Sequence, residues 1–90
     1  MLFYMAKRQS VIDFVNDCCV LQSDGAAIMG DFRRACQRYA FTRGDNPPTA
    51  RLISRVLREE YGVIPAAHDR YEWHYPGVRF GVGALPYLDK

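Results

Sequence analysis

The sequence predicts one α+β domain of three helices followed by a β-hairpin. Apolar residues recur at helical spacing in three stretches before Gly62, the period changes to two beyond it, and clusters of Gly, Asp, Asn and Pro separate the stretches. Ninety residues, 49% of them apolar, suffice for one modest core and no more. The predicted boundaries are an N-terminal extension over 1–9, the domain over 10–83 and a C-terminal tail over 84–90.

Helix 1 is expected from Lys7 to Leu21, where Val11, Phe14, Val15, Cys18 and Cys19 form one apolar face, Ser10 is placed to cap and Asp13 lies in the first turn. Gln22-Ser23-Asp24-Gly25 reads as a turn, with a short extended piece over 26–29. Helix 2 starts near Gly30 or Asp31 and puts Phe32, Ala35, Cys36 and Tyr39 on one side. The chain then breaks over 42–48, because Gly44-Asp45-Asn46 favours a bend and Pro47-Pro48 cannot continue a helix interior. Helix 3 runs from Thr49, its N-cap, to Tyr61, and Gly62 ends it in the left-handed conformation.

Beyond Gly62, Tyr71, Trp73 and Tyr75 alternate with polar residues, as do Val78, Phe80 and Val82, which predicts two strands. The hairpin tip is either His68-Asp69-Arg70, with 63–67 as the first strand, or Tyr75-Pro76-Gly77. Trp73, Tyr71 and Tyr75 share a strand face and are expected to close the small core; stacking on unpaired bases is the competing use of the same rings.

Charge is segregated along the chain. Between Arg33 and Arg58 there are seven arginines and one acid, Asp45, whereas Asp13, Asp17 and Asp24 lie before this block and Glu59 and Glu60 after it. Helix 3 concentrates the effect: Leu52, Ile53, Val56, Leu57 and Tyr61 make an apolar stripe, and Arg51, Arg55 and Arg58 fall on the other side. Three helices, the last of them basic and amphipathic, followed by a hairpin, is the element order of a winged helix-turn-helix. That fold puts helix 3 in the major groove of double-stranded DNA and the hairpin beside it. The DNA-binding residues expected are Thr49, Arg51, Ser54, Arg55 and Arg58 from helix 3, Arg34 and Arg38 from helix 2, Arg43 from the loop and Arg70 at the wing. Arg51 and Arg55 are assigned to bases and Arg58 to a phosphate, because the N-terminal half of a recognition helix penetrates deepest.

The pattern Val11-x-x-Phe14 with Cys18-Cys19, then Ile28-x-x-x-Phe32-x-x-Ala35-Cys36-x-x-Tyr39, Pro48-Thr49-x-x-Leu52-x-x-x-Val56-Leu57, Gly62 and Gly77-Val78-x-Phe80 resembles the C-terminal winged-helix domain of phage and plasmid primase-helicases. The resemblance spans roughly 11–82. It implies a DNA-binding module of a replication protein from a phage, plasmid or other mobile element, or a free-standing regulatory relative. Cys36 stands where that family usually carries an aromatic residue. No G-x-x-x-x-G-K-[ST] phosphate loop occurs, so no helicase motor lies within this sequence.

The residues offer no catalytic constellation, and a non-enzyme without cofactor, metal or small-molecule substrate is expected. His68 and His74 are awkwardly spaced for a shared metal, and Cys18, Cys19 and Cys36 lack C-x-x-C spacing and read as small apolar residues of a cytoplasmic protein. The alternative function is a protein-interaction module of the same fold, docking on an acidic surface such as a replication protein. Homodimerisation through Leu2-Phe3-Tyr4-Met5 or Pro86-Tyr87-Leu88 is a further option.

Overall fold

The computed structural model describes residues 2–67 and 72–88, so the tip residues His68, Asp69 and Arg70, and Tyr71, lie outside the described residues. The elements in order are α1 (Leu2–Cys18), β1 (Cys19–Ile28), α2 (Met29–Thr42), α3 (Ala50–Tyr61), β2 (Ala66–Ala67), β3 (Trp73–Phe80), a 3-10 turn (Val82–Ala84) and α4 (Leu85–Leu88). Among the described residues the fold is α+β, with four helices and a three-stranded antiparallel sheet ordered β1-β3-β2.

Helix α1 has the expected apolar face, with Val11, Phe14, Val15 and Cys18 buried, but different limits. It starts at Leu2, so residues 2–9 are its first turns, since nothing before Ser10 breaks a helix and Lys7, Arg8 and Gln9 favour one. Ser10 is therefore not a cap. It is buried mid-helix, donating to Asp45 Oδ2 at 3.0 Å with the Ala6 carbonyl 3.2 Å away, and so pins the α2–α3 loop to α1. The helix ends at Cys18 because Cys19, Val20 and Leu21 pair with Phe80, Arg79 and Val78.

Strand β1 corrects the turn expected at 22–25. Its pairing with β3 resumes at Ala26↔Pro76, so the four residues Gln22–Gly25 bulge opposite Gly77 alone. Gly77 has φ of +82°, and a Cβ at Gly25 would come within 2.6 Å of the Val78 carbonyl carbon, so both glycines are required by the bulge. Strand β3 is central and runs straight through Tyr75-Pro76-Gly77, which excludes a tip there. Pro76 is tolerated because β2 pairs only with Trp73 and His74, leaving Pro76 with one neighbouring strand.

The core is built on aromatic rings from three elements. Phe32 of α2 meets Phe14 of α1 edge-on with ring centroids 5.1 Å apart, Tyr75 of β3 edge-on at 5.2 Å, and Phe80 of β3 stacked at 6.2 Å. Ile53, Val56 and Leu57 of α3 complete it. Ala84 is buried, and α4, placed in the expected tail, returns Tyr87 against Tyr39 of α2 at 5.5 Å. No described helix is long and apolar enough to cross a membrane.

Phe32→Ala is expected to cost about 3–5 kcal/mol, because a ring fully enclosed by three others leaves a cavity that cannot collapse. Gly25→Ala should cost about 1–3 kcal/mol through the backbone clash at Val78. Urea denaturation of both variants checks these values, and an unchanged midpoint for Gly25→Ala would refute the bulge geometry.

Candidate functional site

Helix α3 is delimited by the two predicted signals. Thr49 sits in extended conformation and its Oγ1 accepts from the Leu52 N–H at 3.2 Å; Gly62 is left-handed, and the Gly62 and Val63 N–H groups donate to the Arg58 and Leu57 carbonyls. The buried face is Ile53, Val56 and Leu57, with Leu52 and Tyr61 half-buried. Arg51, Arg55 and Arg58 are exposed at i, i+4 and i+7, along a single line on the side away from the core.

These three arginines line one groove of about 530 Å³, together with Ser54, Glu59, Ile64 and Pro65. Ile64 is 65% exposed and with Pro65 forms the wall opposite the helix, an apolar feature that sequence reading did not assign to the site. The signal for it was present: a bulky apolar pair just outside a capped helix, where no helical face buries it. Ser54, expected to touch DNA, is half-buried and shares a 2.7 Å hydrogen bond with the Tyr75 hydroxyl, so its role is to seat α3 on β3.

Among the described residues, Glu59 is the one carboxylate that lines the groove. It accepts from Arg55 Nε at 3.1 Å and from Arg8 Nη1 of α1 at 2.8 Å, while Arg8 also pairs with Glu60. These bonds, that of Arg55 first and then that of Arg8, hold the Glu59 carboxyl below its ordinary pKa of 4.5. The α1–α3 clamp is thus charged and intact at neutral pH. Arg51 and Arg58 make no ion pair among the described residues.

The remaining predicted contacts are turned to other tasks. Arg34 pairs with Asp31 one turn earlier on α2. Arg38 Nη1 donates to the Tyr87 carbonyl at 2.9 Å and holds α4 in place. Arg43 reaches α1, donating to Asp13 Oδ2 at 2.9 Å and to the Tyr39 hydroxyl at 2.8 Å, with its guanidinium 5.0 Å from the Tyr39 ring centre. Tyr39 in turn donates to Asp17 Oδ2 at 2.6 Å, and burial followed by this acceptor raises its pKa. The basic block is therefore not one surface, and Arg43 in particular belongs to the α1–α2 joint. Arg70 lies outside the described residues.

Of the aromatic strand face, Tyr75 is in the core as expected, whereas Trp73 is 55% exposed beside Glu72, Arg34 and the start of α2. Arg79 lies on the β1 side of β3, paired with Val20, and does not join the α3 groove. Cys18 and Cys36 are buried and Cys19 half-buried, all three as free thiols. Burial, with a smaller contribution from Cys18, pushes the Cys19 thiol up to about 12, and burial raises Cys36 further. No group of three or more metal-ligating side chains that could hold an ion exists among the described residues. No family model matches the chain, and neither the curated proteins nor the solved structures compared with it give a match.

Because the folded-state pKa of Glu59 is depressed, its contribution to stability is complete above about 4.5 and is lost as acid protonates it. Glu59→Gln should therefore show a shallower loss of stability between neutral and strongly acidic pH than the parent, read from thermal midpoints across a pH series; parallel curves would argue against the clamp. The native thiols should resist dithiobis-nitrobenzoate at neutral pH and react quickly only after unfolding in guanidinium. Rapid labelling of Cys36 in the native state would contradict its burial.

Proposed function

We propose that this chain is a DNA-binding domain of winged helix-turn-helix type that inserts α3 into the major groove of a duplex. The reading is supported by the succession α2, loop, α3 and then the β2–β3 ladder, with β1 added to the far side of β3. The observation that carries it is the exposure of Arg51, Arg55 and Arg58 along one groove, on the side of α3 opposite Ile53, Val56 and Leu57. A helix presented this way brings three cations toward a polyanion, while the core behind it fixes their spacing.

Within this reading Arg51 and Arg55, in the N-terminal half of α3, reach base edges, where a bidentate guanidinium selects guanine, and Arg58 neutralises a phosphate. Thr49 stands at the helix start as its cap, and Ser54 acts through Tyr75 without touching DNA. The replication setting, a module of a phage or plasmid primase-helicase or of a regulatory relative, is proposed on the sequence resemblance alone.

Fluorescence anisotropy with a labelled duplex across a salt series tests the proposal. Affinity should fall with a log–log slope of about −0.9 per phosphate neutralised, and Arg58→Ala should reduce that slope by about one. Arg51→Ala should cost about 1–3 kcal/mol on a preferred site and little on random sequence. Binding that does not change between low and moderate salt, or is indifferent to Arg51 and Arg58 together, sinks the reading.

A further inference from the structure

The wall that faces α3 across its groove is set by the way the helix ends. Gly62 closes α3 in the left-handed conformation, and the Gly62 and Val63 N–H groups donate to the Arg58 and Leu57 carbonyls, both at 3.1 Å. This closure carries Val63 into the core, where it is buried. Pro65 holds Ile64 extended, because its ring excludes the helical region for the residue before it. Successive side chains of an extended segment point to opposite sides, so with Val63 inside Ile64 points out, and it is 65% exposed. Strand β2 begins at Ala66. Only Ile64 and Pro65 lie between the buried valine and that strand, so the exposed isoleucine is a fixed feature of the groove.

The two sides of the groove differ in chemistry. The helix contributes Arg51 and Arg58, which make no ion pair among the described residues, and Arg55 with its partner Glu59. The facing wall contributes Ile64 and Pro65, whose side chains neither donate nor accept a hydrogen bond. Ser54, the one hydroxyl lining the groove among the described residues, is bonded to Tyr75. A ligand that fits must therefore bring negative charge or acceptors to one side and an apolar group to the other.

The major groove of a duplex supplies both. Its phosphates and its guanine O6 and N7 atoms meet guanidinium groups, and of the groups that base pairs expose there the thymine 5-methyl is the apolar one, the rest being donors and acceptors. Arg51 and Arg58 are seven residues apart on the helix, a rise of roughly 10 Å, or about three base-pair steps. One α3 therefore faces enough base pairs to meet a guanine and a thymine in the same site.

We propose that Ile64, backed by Pro65, is a specificity-determining residue that packs on the 5-methyl group of a thymine in the duplex bound by α3. The inference rests on the duplex-binding reading of α3 and adds a preference that its arginines do not supply. A guanidinium selects guanine by hydrogen bonds and gains nothing from a methyl group.

The test begins with selection of a random duplex pool on the parent chain. The selected site is labelled and then remade with deoxyuridine in place of each thymine in turn, which removes the methyl group and keeps the base pair. Anisotropy should show one such replacement weakening binding by the parent about fourfold, the effect of withdrawing one methyl group from an apolar contact. Ile64→Ser should bind the thymine duplex more weakly and no longer distinguish it from the uracil duplex, whereas Ile64→Val, which keeps a branched apolar side chain, should still distinguish them. Arg58→Ala should weaken both duplexes by the same factor, leaving their ratio unchanged. Ile64 is exposed, and circular dichroism of each variant verifies folding. Duplex binding that depends on Arg51 and Arg58 but is indifferent to every uracil replacement overturns the inference and leaves the α3 reading intact. A uracil effect that persists in Ile64→Ser also overturns it, assigning the methyl group to another side chain. Absence of salt-dependent duplex binding defeats both readings and leaves the groove to a protein partner.

Discussion

The fold depends on Phe32. Its ring touches Phe14 of α1 and both Tyr75 and Phe80 of β3, so one side chain of α2 joins the helical layer to the sheet. A domain this small buries too little surface to stand on scattered aliphatic contacts, and a cluster of rings gives the most apolar area per ordered residue. Tyr75 passes the constraint on. Its ring packs on Phe32, and its hydroxyl leaves the core to bond Ser54 of α3. The exposed arginine line is thereby referred, through Ser54 and Tyr75, to the centre of the molecule.

The arginines divide by whether the fold supplies them with a partner. Arg43 finds Asp13 and Tyr39, Arg38 finds the Tyr87 carbonyl, and Arg8 finds Glu59 and Glu60, each connecting two elements that packing has already brought close. Exposed ion pairs contribute little to stability, so these contacts orient elements more than they hold them. Arg51 and Arg58 project where no carboxylate of α1 or α2 meets them. The positive potential that remains at α3 is what the interior joints leave over, and its concentration at one groove follows from the i, i+4, i+7 spacing of Arg51, Arg55 and Arg58 along the helix.

Features that depend on local chemistry were legible in the sequence. The Thr49 cap, the left-handed Gly62 and the stripe of Ile53, Val56 and Leu57 need only neighbours within a turn or two, and α3 appears with the limits they imply. Strand β1 was obscured because Gln22-Ser23-Asp24-Gly25 has the chemistry of a reversal, and the same chemistry serves a four-residue bulge. The signal for a strand lay on either side, in Cys19-Val20-Leu21 and Ala26-Ala27-Ile28, and only pairing with β3 distinguishes bulge from turn. At the site, the α3 arginines were readable because helical spacing alone groups them. The diversion of Arg43 to Asp13 and of Ser54 to Tyr75 was not, since each partner is remote in sequence and only the tertiary fold brings it near.

Glu59 couples these two levels. One of its oxygens holds Arg55, within the candidate reading face, and the other holds Arg8 on α1. A carboxylate in a cationic groove opposes a polyanion, so its presence needs a compensating role. It provides two: it restrains Arg55, lowering the entropy lost when that side chain is ordered against a ligand, and it ties the C-terminal half of α3 to α1. A ligand phosphate competing for Arg55 would leave Glu59 to Arg8 alone, so the carboxylate keeps a partner as the groove fills. The arrangement lets Arg55 exchange one acceptor for another without stranding a charge, which a lone Arg–Glu pair on α3 could not do.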